Sequence, residues 1–110
     1  MTVTPSRMGQ ALLKTTPTTV YTVPAGVVSA TIRSITAPNN TAAQRALTVW
    51  LVPPGGSATD ATAIANQLAV PARGLAQDDA VHVLPSGGKV VGKSDADDAF
   101  TLTVDGAENT

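Results

Sequence analysis

Turn signals constrain this chain more than any other feature. Between residues 18 and 56, short runs rich in Val, Thr and Ile are cut by Pro24-Ala25-Gly26, Pro38-Asn39-Asn40 and Pro53-Pro54-Gly55-Gly56. Proline inside a helix removes a backbone donor and clashes with the preceding turn, and β-branched side chains lose rotamer freedom there, so such runs read as strands. Val28, Ala30 and Ile32 alternate with Ser29, Thr31 and Arg33, which predicts one apolar and one polar face. Ile35 falls out of that phase, and the slip predicts a bulge or a partly covered second face. Further strands are expected at residues 11–14, 20–23, 78–84, 89–93 and 99–104. In the last of these, Phe100, Leu102 and Val104 alternate strictly with Thr101, Thr103 and Asp105. Residues 57–74 predict a short helical turn capped by Thr59 or Asp60, followed by a strand. Seven or eight short strands about ten residues apart predict an all-β fold, a single antiparallel sandwich of jelly-roll or immunoglobulin type.

A chain of 110 residues is one domain with a modest core. It has no cysteine, which excludes disulfides, thiolate metal sites and a cysteine nucleophile. Trp50, Tyr21 and Phe100 are each the sole residue of their type, so the interior must be aliphatic; so thin a core favours stabilisation by partners. No segment approaches the ~20 apolar residues of a membrane span, and the first residues lack a signal-peptide pattern. A soluble chain without membrane contact is expected. Residues 1–10 show no usable periodicity and are expected to form a flexible arm, or one ordered by a neighbour.

Charge is unevenly distributed. Residues 1–53 hold Arg7, Lys14, Arg33 and Arg45 and no acid; residues 54–110 hold eight acids against Arg73, Lys89 and Lys93, leaving +4 and −5. The halves could attract one another between subunits, or interleave in one fold so that the asymmetry vanishes. Four dispersed cations make a poor nucleic-acid surface, and no nucleic-acid partner is expected.

Chemical motifs are few. Residues 87–94, GGKVVGKS, spell the phosphate-loop pattern, but the preceding Pro85-Ser86, the two β-branched valines inside and the aspartates beyond oppose the strand, loop and helix that such a loop needs. A Gly-Gly turn into a strand is expected instead. His82 stands alone between Val81 and Val83, where strand alternation makes it a solvated or interface residue opposite the valines. Asp95, Asp97 and Asp98 resemble the start of a calcium loop, yet the sixth position is Phe100 and the twelfth Gly106. A solvated acidic turn is expected. The Asn39-to-Thr41 sequon matters only in a secretory pathway. No acid–base pair, nucleophile elbow or metal cluster stands out, so no enzyme activity and no cofactor are expected.

One strand wants cover on both faces: Leu47, Val49 and Leu51 point one way, Trp50 and Val52 the other. Either it is central in a packed sandwich or its Trp50 face is buried by another subunit, and an exposed tryptophan would be a natural anchor.

The order of these segments resembles a family of small structural virion proteins of tailed bacteriophages. The resemblance runs over residues 14–108: VYTVPAG (20–26), VSATIRSI (28–35), LTVWLVPPGG (47–56), AVPARG (69–74) and the closing SGGKVVGKSDADDAFTLTVDGAE (86–108). It implies a non-enzymatic protein of the virion, assembled in the host cytoplasm. Such a protein decorates the capsid shell or belongs to tail, neck or fibre, and works by repeated binding. Its partners would be copies of itself, as a homo-oligomer of which a trimer is one form, and major capsid or tail proteins. Contact residues expected on this basis are Trp50, Arg33, Arg45 and Leu12. A carbohydrate- or receptor-binding module remains a second reading, although sugar platforms present more aromatics than this chain has.

Overall fold

The structure, a computed structural model, describes residues 3–110, with side chains from Met8 onward. The chain is an antiparallel β-sandwich. In chain order the strands are β1 (Val3–Leu12), β2 (Thr18–Thr22), β3 (Ser29–Pro38), β4 (Arg45–Val52), β5 (Ala63–Val70), β6 (Leu75–Asp78), β7 (His82–Pro85), β8 (Lys89–Ser94) and β9 (Thr101–Asn109). A 3-10 turn, Asp60–Thr62, precedes β5, and the Thr62 hydroxyl oxygen accepts from the Thr59 N–H at its start. The expected helical turn followed by a strand is therefore present.

One sheet has the order β1-β9-β3-β6, with β7 also paired to β3, and the other has the order β2-β8-β4-β5. The pairings nest, β1 with β9, β2 with β8, β3 with β6 and β7, and β4 with β5, and cross-pairings β3–β9 and β4–β8 join them. A long hairpin folded over on itself produces this pattern, which is that of a jelly roll. The sequence left jelly roll and immunoglobulin topologies open; the nested pairing decides between them.

The core lies between the sheets. Leu13, Ala30, Ile32, Val90, Phe100, Leu102 and Val104 are fully buried. Each large side chain so buried contributes roughly 1.5–3 kcal/mol relative to exposure. The phase slip after Ile32 is a register shift between Ile32 and Ser34 against β9, so that Ala30 and Ile32 before it and Ile35 and Ala37 after it all face inward. Val28 does not join them: it precedes β3 and is 67% exposed. The turn that closes with the Val27 N–H on the Pro24 carbonyl places Val27 in the core instead.

Two other expectations change. The arm over residues 1–10 is strand from Val3 onward, because β9 runs long enough to pair with it as far as Asn109; Met1 and Thr2 lie outside the described residues. The single strand expected over residues 78–84 is two, β6 and β7, both on β3. Asp78 breaks it by accepting the Ala80 N–H at 2.9 Å, which turns the chain. This split raises the strand number above the eight expected.

Residues 89–94 of the phosphate-loop pattern are strand β8, reached through a turn with Gly87 at φ 87°. Their backbone pairs with β2 and β4, and Ser94 is buried, accepting the Ala96 N–H on its hydroxyl. The acidic turn after it is also engaged: Asp98 accepts from Lys14 and Asp97 from the Thr15 N–H, so the two carboxylates fasten the link between β1 and β2. Asn39 is buried, its amide reaching the carbonyls of Ala43, Val70 and Pro71 and its oxygen accepting from Thr41. The sequon asparagine is thus a structural tie that holds the crossover from β5 to β6.

Candidate functional site

The expected contact residues do not converge. Leu12 and Arg33 belong to the five-stranded sheet, and Arg45 and Trp50 to the four-stranded one. Leu12, at the end of β1, is 49% exposed, and Arg33 is exposed at the bulge of β3. Arg45 opens β4; its Nε is buried and has no hydrogen-bond partner among the described residues. Trp50 is not an open anchor. It is buried on the outer face of its sheet with Val52 and Val91, and Ala58 and Ala63 of the same chain pack over it. Both faces of β4 are therefore covered from within the chain, Leu47 and Val49 by the core and Trp50 by the segment that follows Pro53. The chain's sole tryptophan is also withdrawn from use as a sugar platform.

What the fold does bring together lies at one edge of the sandwich, where β5 faces β6 and β7. Here the sheets part. A cleft of about 330 Å³ opens between them, floored by Ile35, Ala37, Leu47 and Val49 and flanked by Ile64, Leu68 and Ala76. Beside it a second, shallower cleft of about 570 Å³ shares Ile64 and continues past Leu51 to His82 and Leu84. Among the described residues, five of the seven exposed large apolar side chains lie along this edge: Ile64, Leu68, Leu75, Val81 and Val83.

Local sequence explains why this edge stays open. β5 pairs irregularly with β4, with register shifts on both sides of Val49, and Gln67 adopts φ 52° with its N–H donated to the Thr48 hydroxyl. An asparagine or glutamine in an extra residue of an edge strand bends that strand away from regular pairing. On the facing sheet, the turn at Asp78 leaves only two short strands. Neither edge extends far enough to close over the core.

The rim is acidic. Asp78 lines the first cleft, Asp79 accepts a hydrogen bond from its lining residue Gln77 at 3.0 Å, Asp60 adjoins Ala61 of the second cleft, and no lysine or arginine lines either among the described residues. Asp78 lies 3.0 Å from His82 Nε2. Burial opposes its ionisation, but the hydrogen bonds with His82 and the Ala80 N–H outweigh that and hold the carboxyl below its ordinary value. His82 shares the inward side of β7 with Leu84, while Val83 points outward, so the histidine is half-buried and paired rather than solvated. No hydroxyl hydrogen-bonds to His82 among the described residues, and no group of three or more histidines or carboxylates there could hold a metal. The chemistry available is the burial of apolar side chains beside a few carboxylates.

The opposite edge, where β1 faces β2, is closed. Gly9 lets the Val20 carbonyl approach so closely that any Cβ would collide with it. The Tyr21 hydroxyl donates to Glu108 at 2.7 Å, joining β2 to β9 across the sheets. Burial first, and this hydrogen bond second, push the phenol well above its ordinary value of ~10.

The open edge is not legible in the sequence: Ile64 and Leu68 fall in the segment expected to form a helical turn and a strand, and Val81 and Val83 in an expected strand, with nothing to mark either pair as uncovered. Two valines flanking one histidine, between turn residues, leave apolar side chains on whichever face the histidine does not take, but do not say whether that face is covered. Compared with known proteins, the chain matches no family model, no curated protein and no solved structure. No helix among the described residues is long and apolar enough to cross a membrane.

Proposed function

We propose that this chain is a non-enzymatic structural protein of a tailed-bacteriophage virion, placed on the outside of the capsid and acting by repeated binding to the particle. The observation that carries the reading is the order of its segments over residues 14–108. VYTVPAG supplies β2 and its exit turn, LTVWLVPPGG β4 and its turn, and SGGKVVGKS with TLTVDGAE the strands β8 and β9. These are the segments that the resemblance rests on, and each is a structural unit rather than a chemical one. A jelly roll suits the reading, since capsid proteins use that architecture, but the same architecture serves lectins and enzymes and so supports the reading only by analogy. Partners would be further copies of the chain and the major capsid protein, in an assembly formed in the host cytoplasm.

Quantitative mass spectrometry of purified particles tests this. Hundreds of copies per particle are expected. A handful would move the protein to tail, neck or fibre, and absence from particles would overturn the virion reading altogether.

A further inference from the structure

We propose that the open edge is a receiving groove for one extended segment of a different polypeptide, apolar at alternate positions and carrying lysine or arginine at its ends. The inference does not depend on the virion reading, because it rests on the geometry and charge of this edge alone.

Core residues lie directly beneath this edge. Ile35, Ala37, Leu47 and Val49 are at most 4% exposed, yet they floor a cleft that opens outward between the sheets. A volume of about 330 Å³ lies at the lower end of small-molecule sites, but the polar side chains of its lining, Gln77 and Asp78, are neighbours on β6 rather than groups converging from several elements to orient a compact ligand. Joined to the second cleft through Ile64, it forms a trough along the sandwich edge, a shape for chain rather than for a small molecule. Facing sheets lie ~10 Å apart and strands rise ~3.3 Å per residue, so an extended segment along this trough sends every second side chain inward. Those side chains would meet Ile64 and Leu68 on one wall and Ala76 on the other, completing a core that β5 and β6 leave uncovered. Strand addition of this kind draws specificity from pockets for alternate residues.

Charge selects the occupant. Asp78 lines the trough, Asp79 accepts a hydrogen bond from the lining Gln77 and Asp60 adjoins the lining Ala61; among the described residues no lysine or arginine lines it, and His82 is already paired with Asp78. A segment with basic ends is attracted, and an acidic one is repelled. The same charge argues against a second copy seated groove to groove: an isologous contact would bring both sets of carboxylates face to face. The bulged β5 and the broken β6–β7 edge likewise discourage edge-to-edge pairing of copies.

Two synthetic peptides with the same core of alternating leucine and threonine, one ending in lysines and the other in glutamates, test the groove on the isotope-labelled full-length chain. The lysine peptide is expected to shift the backbone amide resonances of β5, β6 and β7 and to bind about tenfold more tightly than the glutamate peptide at low salt. High salt should shrink that preference. Leu68→Ser, at a half-exposed position that the fold tolerates, should weaken binding of both peptides, and the pair Asp78→Asn with Asp79→Asn should abolish the preference while leaving the apolar part of the binding. The proposal is overturned by equal affinity for the two peptides, by shifts confined to other strands, by no binding, or by self-association of the free chain through β5 to β7.

Discussion

The two edges of the sandwich are built from the same kinds of residue and end in opposite states. At the β1–β2 edge, Gly9 removes a side chain so that the Val20 carbonyl can approach, Leu13 just beyond β1 is fully buried in the core, and Tyr21 and Glu108 bridge the sheets. Asp97 and Asp98, on the turn before β9, fasten the connecting link. At the β5 edge the acids do the reverse. Asp78 turns the chain and divides a strand in two, while Asp60 and Asp79 stay on the surface. The difference lies in what the polar groups satisfy. Acids bonded to the backbone or a lysine across a link draw the sheets shut, whereas an aspartate bonded to its own chain two residues on shortens the strand that would have closed the gap. A closed edge contributes stability; an open one leaves apolar surface for another molecule.

Stability measurements test whether the two edges differ in this way, with the sole tryptophan, Trp50, as a fluorescent reporter of denaturant unfolding. The largest effect is expected from Gly9→Ala. Its new Cβ meets the Val20 carbonyl, and because backbone rather than a flexible side chain must move, the loss should be about 3 kcal/mol. A loss below about 1 kcal/mol would mean that the β1–β2 edge is not tightly closed.

Tyr21→Phe should cost about 1–1.5 kcal/mol by removing the bridge to Glu108. The unsubstituted chain gives a sharper reading, because Tyr21 is its only tyrosine. The folded phenol titrates above its unfolded value, so the neutral form is the one that folding favours. This contribution is complete below pH ~10 and is lost as the pH rises beyond it. Ultraviolet absorbance should therefore show little tyrosinate at pH ~10, where a free phenol is half-ionised, and then a rise as the fold opens. Ordinary titration at that pH would remove the bridge from the account.

The smallest effect is expected at the open edge. Leu68 is 46% exposed, so Leu68→Ser should cost no more than about 0.5–1 kcal/mol, against the roughly 2–5 kcal/mol of a leucine truncated in the core. A large loss at Leu68 would show that the trough is packed in solution and unavailable to a partner.

Much of the fold was legible. Alternation at Ala30 and Ile32, the slip before Ile35, the Gly-Gly turn into β8 and the strict period of β9 each report a local rule, and local rules survive folding. The candidate site was not legible. Trp50 reads as an anchor because tryptophan is large and the strand around it is apolar on both faces, but a segment that follows it in the chain returns to cover it. Ile64 and Leu68 read as ordinary apolar residues of a turn and strand, and only the gap between two sheets makes them the wall of a trough.

By itself, then, the sequence determined the all-β class, the placing of most turns and the absence of thiol chemistry, because backbone sterics and side-chain alternation act between near neighbours. The nested pairing that makes a jelly roll, the burial of Trp50, the use of Asp97, Asp98 and Asn39 as ties, and the opening of one edge were decided only in the tertiary structure. Each depends on residues brought together from distant parts of the chain. Which strand runs long enough to cover which edge is a property of two sheets meeting, and no single segment carries it.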